Sequence, residues 1–331
     1  MVNGKTINLM KSKILPIAGD ASFRKFYRVI SKKKSKIVVV AKKEKYKNLT
    51  AYTAVNKFLI KNKILAPKIF STNFSKGEII IEDFGDLSLY KVLLKEKDKF
   101  KNYKKIVDLL LKIQKIKPKK KIKSIINKPH LIRDYSVNYL NRETNLFFEW
   151  YLPLILNKKK SLNIKKKIKK IFIQLYKKIN FPNRYFVHRD YHVQNLMLVR
   201  KKIGIIDSQD ALIGNPAYDL ASLIDDVRIK TSKKLKAKIY NYYIKNFFSG
   251  DKEIIKNFLQ DFNILSVQRL LKIIGVFSRL SSRDKKSKYL KLIPYTWQLI
   301  DMRIKSKLFF DLKKVLDENI PKKIRKKIIH R

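Results

Sequence analysis

The sequence predicts an α+β fold with two lobes, a small β-rich lobe over residues 1–85 and a larger, mainly helical lobe over residues 86–331. Continuous β-branched and aromatic runs, such as residues 26–30 and 37–41, fall in the first part of the chain, whereas apolar residues three and four apart dominate the second. With 331 residues, 45% of them hydrophobic, the chain is long enough to bury a substantial core.

The small lobe is predicted to contain, in order, two strands, a helix and two further strands. A polar turn over residues 31–36 separates the first two strands. Apolar residues at helical spacing predict a helix over residues 49–61, and Pro67 ends that region. A hairpin is predicted for residues 69–81, because Lys76-Gly77 is typical of a turn.

The larger lobe is predicted to be helical over residues 87–180 and again beyond residue 218. Between these helical parts, residues 185–187 favour a short strand and residues 196–206 favour a second hairpin. The lysine-rich tail, residues 321–331, is expected to be frayed.

The chain carries a formal charge of +53, from 79 Lys and Arg against 26 Asp and Glu. Such a charge favours contact with nucleic acid or an anionic membrane. However, the lysines are spread along the chain, and the scarcity of Gly (8) and Pro (9) beside abundant Lys, Ile and Asn is typical of AT-rich coding sequence. We therefore expect no nucleic-acid or membrane partner, although the positive field would attract an anionic substrate such as ATP.

Composition also excludes several kinds of site. The chain has no cysteine, which excludes disulfides, thiolate metal sites and a cysteine nucleophile. Its four histidines (His130, His188, His192 and His330) are too scattered for a zinc cluster. No apolar run reaches the ~18–20 residues that would span a bilayer, and residues 1–13 lack the apolar core of a secretory signal. We expect a cytoplasmic protein.

The segment from His188 to Asp219 carries the chemistry. Asp190 stands five residues before Asn195, and Asp207 follows at the end of an apolar run. This order of groups fits a MgATP-dependent phosphoryl transferase, in which one carboxylate receives the proton of the attacking hydroxyl while an amide oxygen and a second carboxylate hold metal ions. His188 is expected to brace the loop by hydrogen bonding.

Several segments share a pattern with a known family. They are residues 19–28 (GDASFRKFYR), 81–86 (IEDFGD), 147–152 (FFEWYL), 188–197 with 206–211, and 268–280 (QRLLKIIGVFSRL). Over about residues 14–295 the chain resembles the aminoglycoside phosphotransferase-like kinases. Within them it is most similar to the bacterial kinases that phosphorylate the anomeric hydroxyl of N-acetylmuramate and N-acetylglucosamine in peptidoglycan recycling. The resemblance implies a protein-kinase-like fold and the cofactors ATP and Mg²⁺.

The resemblance also implies roles for individual residues. Asp190 would be the catalytic base, and Asn195 and Asp207 would be Mg²⁺ ligands. The nucleotide would be bound at a hinge and a phosphate loop made of Glu82, Asp83 and Phe84, and of Ala21, Ser22 and Phe23. Lys42 stands where a phosphate-pairing lysine is expected, but the helix that follows has no Glu to pair with it, and only Gly19 remains of the protein-kinase glycine-rich loop.

The acceptor site is the least defined part of this prediction. Gln194, Gln209 and Asp210 are close to the catalytic residues in sequence and could bind sugar hydroxyls; Arg142 and Glu143 are further candidates that could equally form a solvated or salt-bridged helix face. Two alternatives stay open. One is a kinase for an aminoglycoside, choline or another small alcohol, and the other is a basic nucleic-acid-binding protein on a kinase-like scaffold.

Overall fold

The structure is a computed structural model that describes residues 13–17, 24–31, 34–41, 47–124 and 128–328. The chain divides into two compact units. The first comprises Met1–Leu109, Ile116–Arg133 and His188–Leu212, and the second comprises Leu110–Lys115, Asp134–Val187 and Ile213–Arg331. This division differs from the lobe boundary predicted at residue 85, because the segment His188–Leu212 packs with the N-terminal part of the chain; the boundary itself stays a prediction.

The first unit is built on a five-stranded antiparallel sheet. Its strands are β1 (Lys13–Ile17), β2 (Lys25–Ser31), β3 (Lys34–Val40), β4 (Ile69–Asn73) and β5 (Glu78–Glu82), in the order β1-β2-β3-β5-β4. The predicted strands and hairpin are present, but β1 is an additional strand, so three strands and not two precede the helix. The turn predicted over residues 31–36 is shorter, because Lys34, Ser35 and Lys36 already pair with Ser31, Ile30 and Val29.

One face of this sheet is covered by α1 (Lys47–Lys61), the helix predicted from apolar spacing. Burial alternates along β3, where Ile37 and Val39 are buried and their neighbours are partly exposed, as expected of a strand with one face on a core. Leu49 and Tyr52 of α1 join them in one apolar cluster. Each fully buried aliphatic side chain of this kind stabilises the fold by roughly 1.5–3 kcal/mol.

The first unit also holds shorter elements. They are α2 (Leu89–Lys95), the first part of α3 (Lys99–Gln114), and the two-stranded pairs β6 (Lys121–Ile122) with β7 (His130–Leu131) and β9 (Leu196–Val199) with β10 (Lys202–Ile205). The β9–β10 hairpin is as predicted, and both residues of its tight turn, Arg200 and Lys201, have positive φ (47° and 66°). The pair β6–β7 interrupts the stretch predicted to be entirely helical.

The second unit is mainly helical. Its helices are α4 (Val137–Leu146), α5 (Leu152–Ile155), α6 (Lys158–Lys177), α7 (Ala217–Ile224), α8 (Lys233–Phe247), α9 (Lys252–Asp284), α10 (Ile293–Arg303), α11 (Phe310–Asn319) and α12 (Lys322–Lys326), with a π-helical turn at Phe147–Tyr151. The short strands β8 (Tyr185–Val187) and β11 (Leu212–Gly214) pair with each other. Among the described helices, none is both long and apolar enough to cross a membrane.

The 33-residue helix α9 is the centre of this unit. Asp251 caps its first turn by accepting hydrogen bonds from the backbone N–H groups of Glu253 and Ile254. Gly275 allows a close crossing, because a Cβ at that position would lie 2.2 Å from the carbonyl carbon of Leu146. Only glycine lets the two backbones approach so closely.

The lysine-rich tail is ordered through residue 328, contrary to the prediction that residues 321–331 fray. Arg325 of α12 is 2% exposed. Its guanidinium donates to Asp301 at 2.6 Å and to Asp317 at 2.8 Å, and lies 5.2 Å from the ring centroid of Trp297. A single buried arginine thus docks a segment whose composition resembles a solvated end; residues 329–331 lie outside the described chain.

Candidate active site

His188 is fully buried in the loop that precedes β9. Its Nε2 lies 3.1 Å from the carbonyl oxygen of Ile206, so the ring is the tautomer that donates from this atom. Burial lowers the pKa of His188, against the opposite effect of Asp190 and Asp207. The imidazole is therefore a neutral hydrogen-bond donor that links the loop to the segment carrying Asp207.

Asn195 joins the two ends of the same loop. Its amide nitrogen donates to the backbone carbonyl of Asp190 at 3.0 Å. Its own backbone carbonyl accepts from the N–H of Ile206, also at 3.0 Å. Both peptide groups of Ile206 are thus bonded to the loop, one through Asn195 and one through His188, and the structure brings Asp190, Asn195 and Asp207 into one hydrogen-bonded unit.

Two residues of this unit have left-handed backbone conformations. Arg189 has φ 74° and Asp207 has φ 64°. For residues other than glycine this conformation costs of order 1–3 kcal/mol and persists only where the surroundings hold it. Here the contacts of Ile206 hold the residue before Asp207, and the Arg189 guanidinium donates to the backbone carbonyl of Asp210 at 3.1 Å. These contacts hold the two residues in their left-handed conformation.

Asp207 is paired with Arg24, a residue to which sequence reasoning assigned no role. Arg24 Nη2 donates to Asp207 Oδ1 at 2.7 Å, and Arg24 Nη1 donates to Gln209 Oε1 at 3.1 Å. Gln209 Nε2 in turn donates to Asp207 Oδ1 at 3.1 Å and to Asp210 Oδ2 at 3.2 Å. Predicted acceptor-site residues Gln209 and Asp210 therefore lie beside the predicted metal ligand.

The residue after Asp207 is fixed to helix α1. Ser208 Oγ donates to Asn56 Oδ1 at 2.6 Å, and Asn56 Nδ2 donates to the carbonyl of Pro67 at 3.2 Å. Both Ser208 and Asn56 are completely buried. Water reaches neither side of this hydrogen bond, so removing one of the two side chains would leave the other buried without its partner. In the sequence, a contact of Asn56 is indicated only by the position of this polar residue on the apolar face of the helix predicted over residues 49–61.

Arg28 fixes the segment predicted to be a nucleotide hinge. Its guanidinium donates to both oxygens of Asp83, at 2.6 and 3.1 Å, and to both oxygens of Asp86, at 2.8 and 3.0 Å. Burial would raise the pKa of Asp83, but the hydrogen bonds from Arg28 and from the Gly85 N–H outweigh it and lower that pKa. The carboxylate of Glu82, at the end of β5, accepts a hydrogen bond from the backbone N–H of Lys68 at 3.2 Å.

Phe84, the last residue of the predicted hinge, packs against β10. A Cβ added to Gly204 would lie 2.6 Å from Phe84 Cε2, so the aromatic ring occupies the space above this glycine. The contact joins the hinge to the hairpin that follows the catalytic loop. The hinge is therefore held from two sides, by Arg28 at Asp83 and by Gly204 at Phe84.

The remaining predicted site residues fall into two groups. Ala21, Ser22, Phe23 and Lys42 lie outside the described residues. Gln194, half-buried, adjoins Asn195, while Arg142 is exposed with its guanidinium carbon 5.8 Å from the ring centroid of Tyr139.

Glu143 is buried within the second unit. It pairs with Lys272 Nζ at 2.8 Å and accepts from the hydroxyls of Tyr135 and Tyr218 and from Gln268 Nε2. These contacts are those of a buried ion pair whose carboxylate is satisfied by its own unit. Its predicted role, and that of Arg142, in binding an acceptor stays a prediction.

The oxygen atoms near the catalytic loop fit a magnesium ion. Because the Asn195 amide nitrogen is bonded to Asp190, its Oδ1 is the atom that can bind a cation, and Asp207 offers Oδ2 while Oδ1 is held by Arg24. Mg²⁺ prefers such hard oxygen ligands and takes few of them from protein. Across the described part of the chain, no cluster of three or more His, Cys, Asp or Glu side chains could hold a metal.

The antiparallel sheet, the helices that follow it and the hydrogen bonds between the loop of Asp190 and Asn195 and the segment of Asp207 are consistent with a kinase-like phosphotransferase. The sequence matches the family described as "Phosphotransferase enzyme family" (APH) over residues 13–252, and the chain belongs to this family. The predicted fold class and the predicted class of enzyme, a small-molecule phosphotransferase, are confirmed.

Similar proteins include two named N-acetylmuramate/N-acetylglucosamine kinase. The protein from Neisseria meningitidis is 27% identical over 283 residues, which cover 84% of this chain and 81% of that protein. The protein from Pseudomonas aeruginosa is 27% identical over 296 residues, which cover 88% of this chain and 84% of that protein. The chain thus spans most of the length of both relatives.

Solved structures show the same fold at low sequence identity. The Plasmodium vivax ethanolamine kinase Pv091845 has a TM-score of 0.63 and 14% identity, covering 91% of this chain and 84% of its own. The ADP-bound aminoglycoside phosphotransferase APH(2'')-Ib has a TM-score of 0.60 and 16% identity, covering 90% of this chain and 95% of its own. At these identities the likeness concerns the fold.

Proposed function

We propose that this enzyme transfers the γ-phosphoryl group of ATP to the anomeric hydroxyl of N-acetylmuramate or N-acetylglucosamine. The observation that carries the proposal is the bonding of both Ile206 peptide groups, which joins the loop of Asp190 and Asn195 to Asp207. The names of the curated relatives, matched over most of their length, support the amino-sugar acceptor.

In the proposed reaction Asp190 accepts the proton of the sugar hydroxyl. The hydroxyl oxygen forms a bond to the γ-phosphorus, the bond from that phosphorus to the β–γ bridging oxygen breaks, and ADP leaves. Asn195 and Asp207 would hold Mg²⁺, which neutralises charge on the phosphates. Most of the rate enhancement would come from positioning and charge neutralisation, so the rigidity of the loop matters more than the strength of any one group.

The nucleotide would bind at the hinge. We propose that the backbone of Glu82, Asp83 and Phe84 meets the adenine, held in place by the Arg28 and Gly204 contacts. Ala21, Ser22, Phe23 and Lys42 are proposed to lie over the phosphates, as the resemblance implies. Use of ATP is consistent with a cytoplasmic reaction.

The acceptor sugar would bind beside Asp190. We propose Gln194, Gln209 and Asp210 as its hydrogen-bonding partners, because they adjoin Asn195 and Asp207. Arg142 and Glu143 are weaker candidates, since the contacts of Glu143 with Lys272, Tyr135 and Tyr218 already account for its burial.

The test is a coupled ADP-release assay with a panel of acceptors: N-acetylmuramate, N-acetylglucosamine, an aminoglycoside and choline. The amino sugars should give turnover. The 1-O-methyl glycoside of N-acetylglucosamine is the matched control, because it keeps every other group and lacks the free anomeric hydroxyl. Turnover of that glycoside would contradict the anomeric site, and turnover of choline or the aminoglycoside alone would contradict the sugar class.

A further inference from the structure

The guanidinium of Arg24 lies in a site built from four other side chains. It bonds to Asp207 and Gln209, and its central carbon lies 5.5 Å from the ring centroid of Phe26 and 5.8 Å from that of Tyr52. The Arg24 side chain is 8% exposed, whereas that of Asp207 is 39% exposed. A buried cation is therefore paired with a carboxylate that is partly exposed to solvent.

Asp207 supplies the negative charge opposite Arg24 in this site. Burial raises the pKa of Tyr52 to about 12, so its hydroxyl stays neutral at physiological pH. The rings of Phe26 and Tyr52 attract the guanidinium through their π faces but carry no net charge. The Arg24–Asp207 pair is thus close to neutral before any ligand arrives.

This pairing affects a bare divalent cation and a nucleotide-bound one in opposite ways. A bare cation at Asp207 Oδ2 would meet a carboxylate already neutralised by Arg24 and would be repelled by the guanidinium. A cation that arrives on a triphosphate brings an excess of negative charge. The guanidinium can form bidentate, charge-assisted hydrogen bonds with phosphate oxygens, as it does with carboxylates.

We propose that Arg24 excludes bare divalent cations from Asp207 and admits the metal only together with the nucleotide, by moving its hydrogen bonds from Asp207 to the phosphates. The inference rests on the proposed function, because it assigns a further role within the same site. It also assigns a phosphate-binding cation to Arg24, the residue that directly follows the proposed phosphate segment of residues 21–23.

The first experiment measures binding of bare Mn²⁺ to the nucleotide-free protein by electron paramagnetic resonance. Arg24→Gln should bind Mn²⁺ about tenfold more tightly, since one positive charge beside the site is lost. Arg24→Lys keeps the charge and should stay close to the unmodified chain. Adding Asp207→Asn to Arg24→Gln should abolish the gain, which shows that the additional binding is at Asp207.

The second experiment measures ADP affinity in saturating Mg²⁺ with a fluorescent analogue. Arg24→Gln should weaken nucleotide binding by about tenfold, the opposite direction from its effect on Mn²⁺. Lys76→Gln is the matched control, because Lys76 is an exposed lysine in the β4–β5 turn of the same sheet. It should change neither affinity, and circular dichroism should show all variants folded.

The outcomes separate the two proposals. If Arg24→Gln binds bare Mn²⁺ no more tightly than the unmodified chain, or binds ADP as tightly, the role of Arg24 is wrong. If the unmodified chain binds no MgADP, the proposed function fails, whatever the variants do. If Arg24→Lys gains Mn²⁺ affinity as much as Arg24→Gln does, the charge argument is overturned.

Discussion

His188 and Ile206 are joined by a hydrogen bond from the buried imidazole to the backbone carbonyl, 3.1 Å long. The bond reaches across 18 residues of chain and ends one residue before Asp207. Since Asn195 holds the N–H of the same Ile206, the loop and the metal-binding segment are fixed to each other by their backbones. The proposed chemistry depends on this rigidity.

Replacing Asp190 with Asn should lower kcat for the amino sugar by roughly 10²- to 10⁴-fold, because the amide cannot accept the hydroxyl proton. The backbone carbonyl of Asp190 that Asn195 binds is retained, so the melting temperature should stay unchanged. Glu96→Gln, at an exposed carboxylate of the same unit, is the control. Near-full turnover of Asp190→Asn would mean that another group is the base.

The free energy of unfolding should fall as the pH drops below about 6.5, the ordinary pKa of histidine. Burial lowers the pKa of His188 in the folded protein, so below that pH the unfolded chain binds a proton that the folded chain does not. His188→Gln, whose amide can still donate to Ile206, should show a shallower fall in urea titrations between pH 7 and 5. The lowered pKa of His130 contributes equally to both proteins. An identical pH dependence in the variant would contradict a neutral His188.

Gly204→Ala should destabilise the protein by about 1–3 kcal/mol and weaken ADP binding, because the new methyl group would displace the Phe84 ring. Replacing the ring by the smaller side chain of leucine should relieve the clash. The double variant with Phe84→Leu should therefore lose less stability than the sum of the losses in the two single variants. Urea unfolding and ADP titration measure the two effects. Strictly additive losses would show that Gly204 acts independently of Phe84.

Deleting residues 321–331 should lower the apparent melting temperature by roughly 5–10 °C. The deletion removes the buried Arg325 side chain, which packs against Trp297 and bonds to Asp301 and Asp317, so the packing of this side chain is lost together with its hydrogen bonds. Removing only residues 329–331 is the control and should have no effect. Equal melting temperatures for the two truncations would restore the original expectation of a frayed tail.

The sequence was sufficient where the deciding contacts are local. The continuous β-branched run in β3, the apolar spacing in α1 and the turn at Gly77 predicted the elements of the sheet, and the spacing of Asp190 and Asn195 indicated the reaction class. Those signals depend on neighbours within a few residues.

Contacts between side chains that are far apart in the sequence could not be predicted from local patterns. Arg24 and Asp207 are 183 positions apart, and Asn56 and Ser208 are 152 apart. In a chain with 79 basic residues, composition does not single out the arginine that meets a given carboxylate. For the same reason the lysines of the tail predicted a frayed end, although the buried Arg325 determines its position. The left-handed φ of Arg189 and Asp207 likewise results from tertiary contacts that have no local pattern.

The contact of Ser208 with Asn56 has a mechanical consequence. Both side chains are fully buried, so separating them would expose or strand polar atoms and cost as much as a local unfolding step. Helix α1 and the segment around Asp207 should therefore move as one rigid body. Protected amide protons of the two segments should lose their protection in the same opening event, even where their individual exchange rates differ.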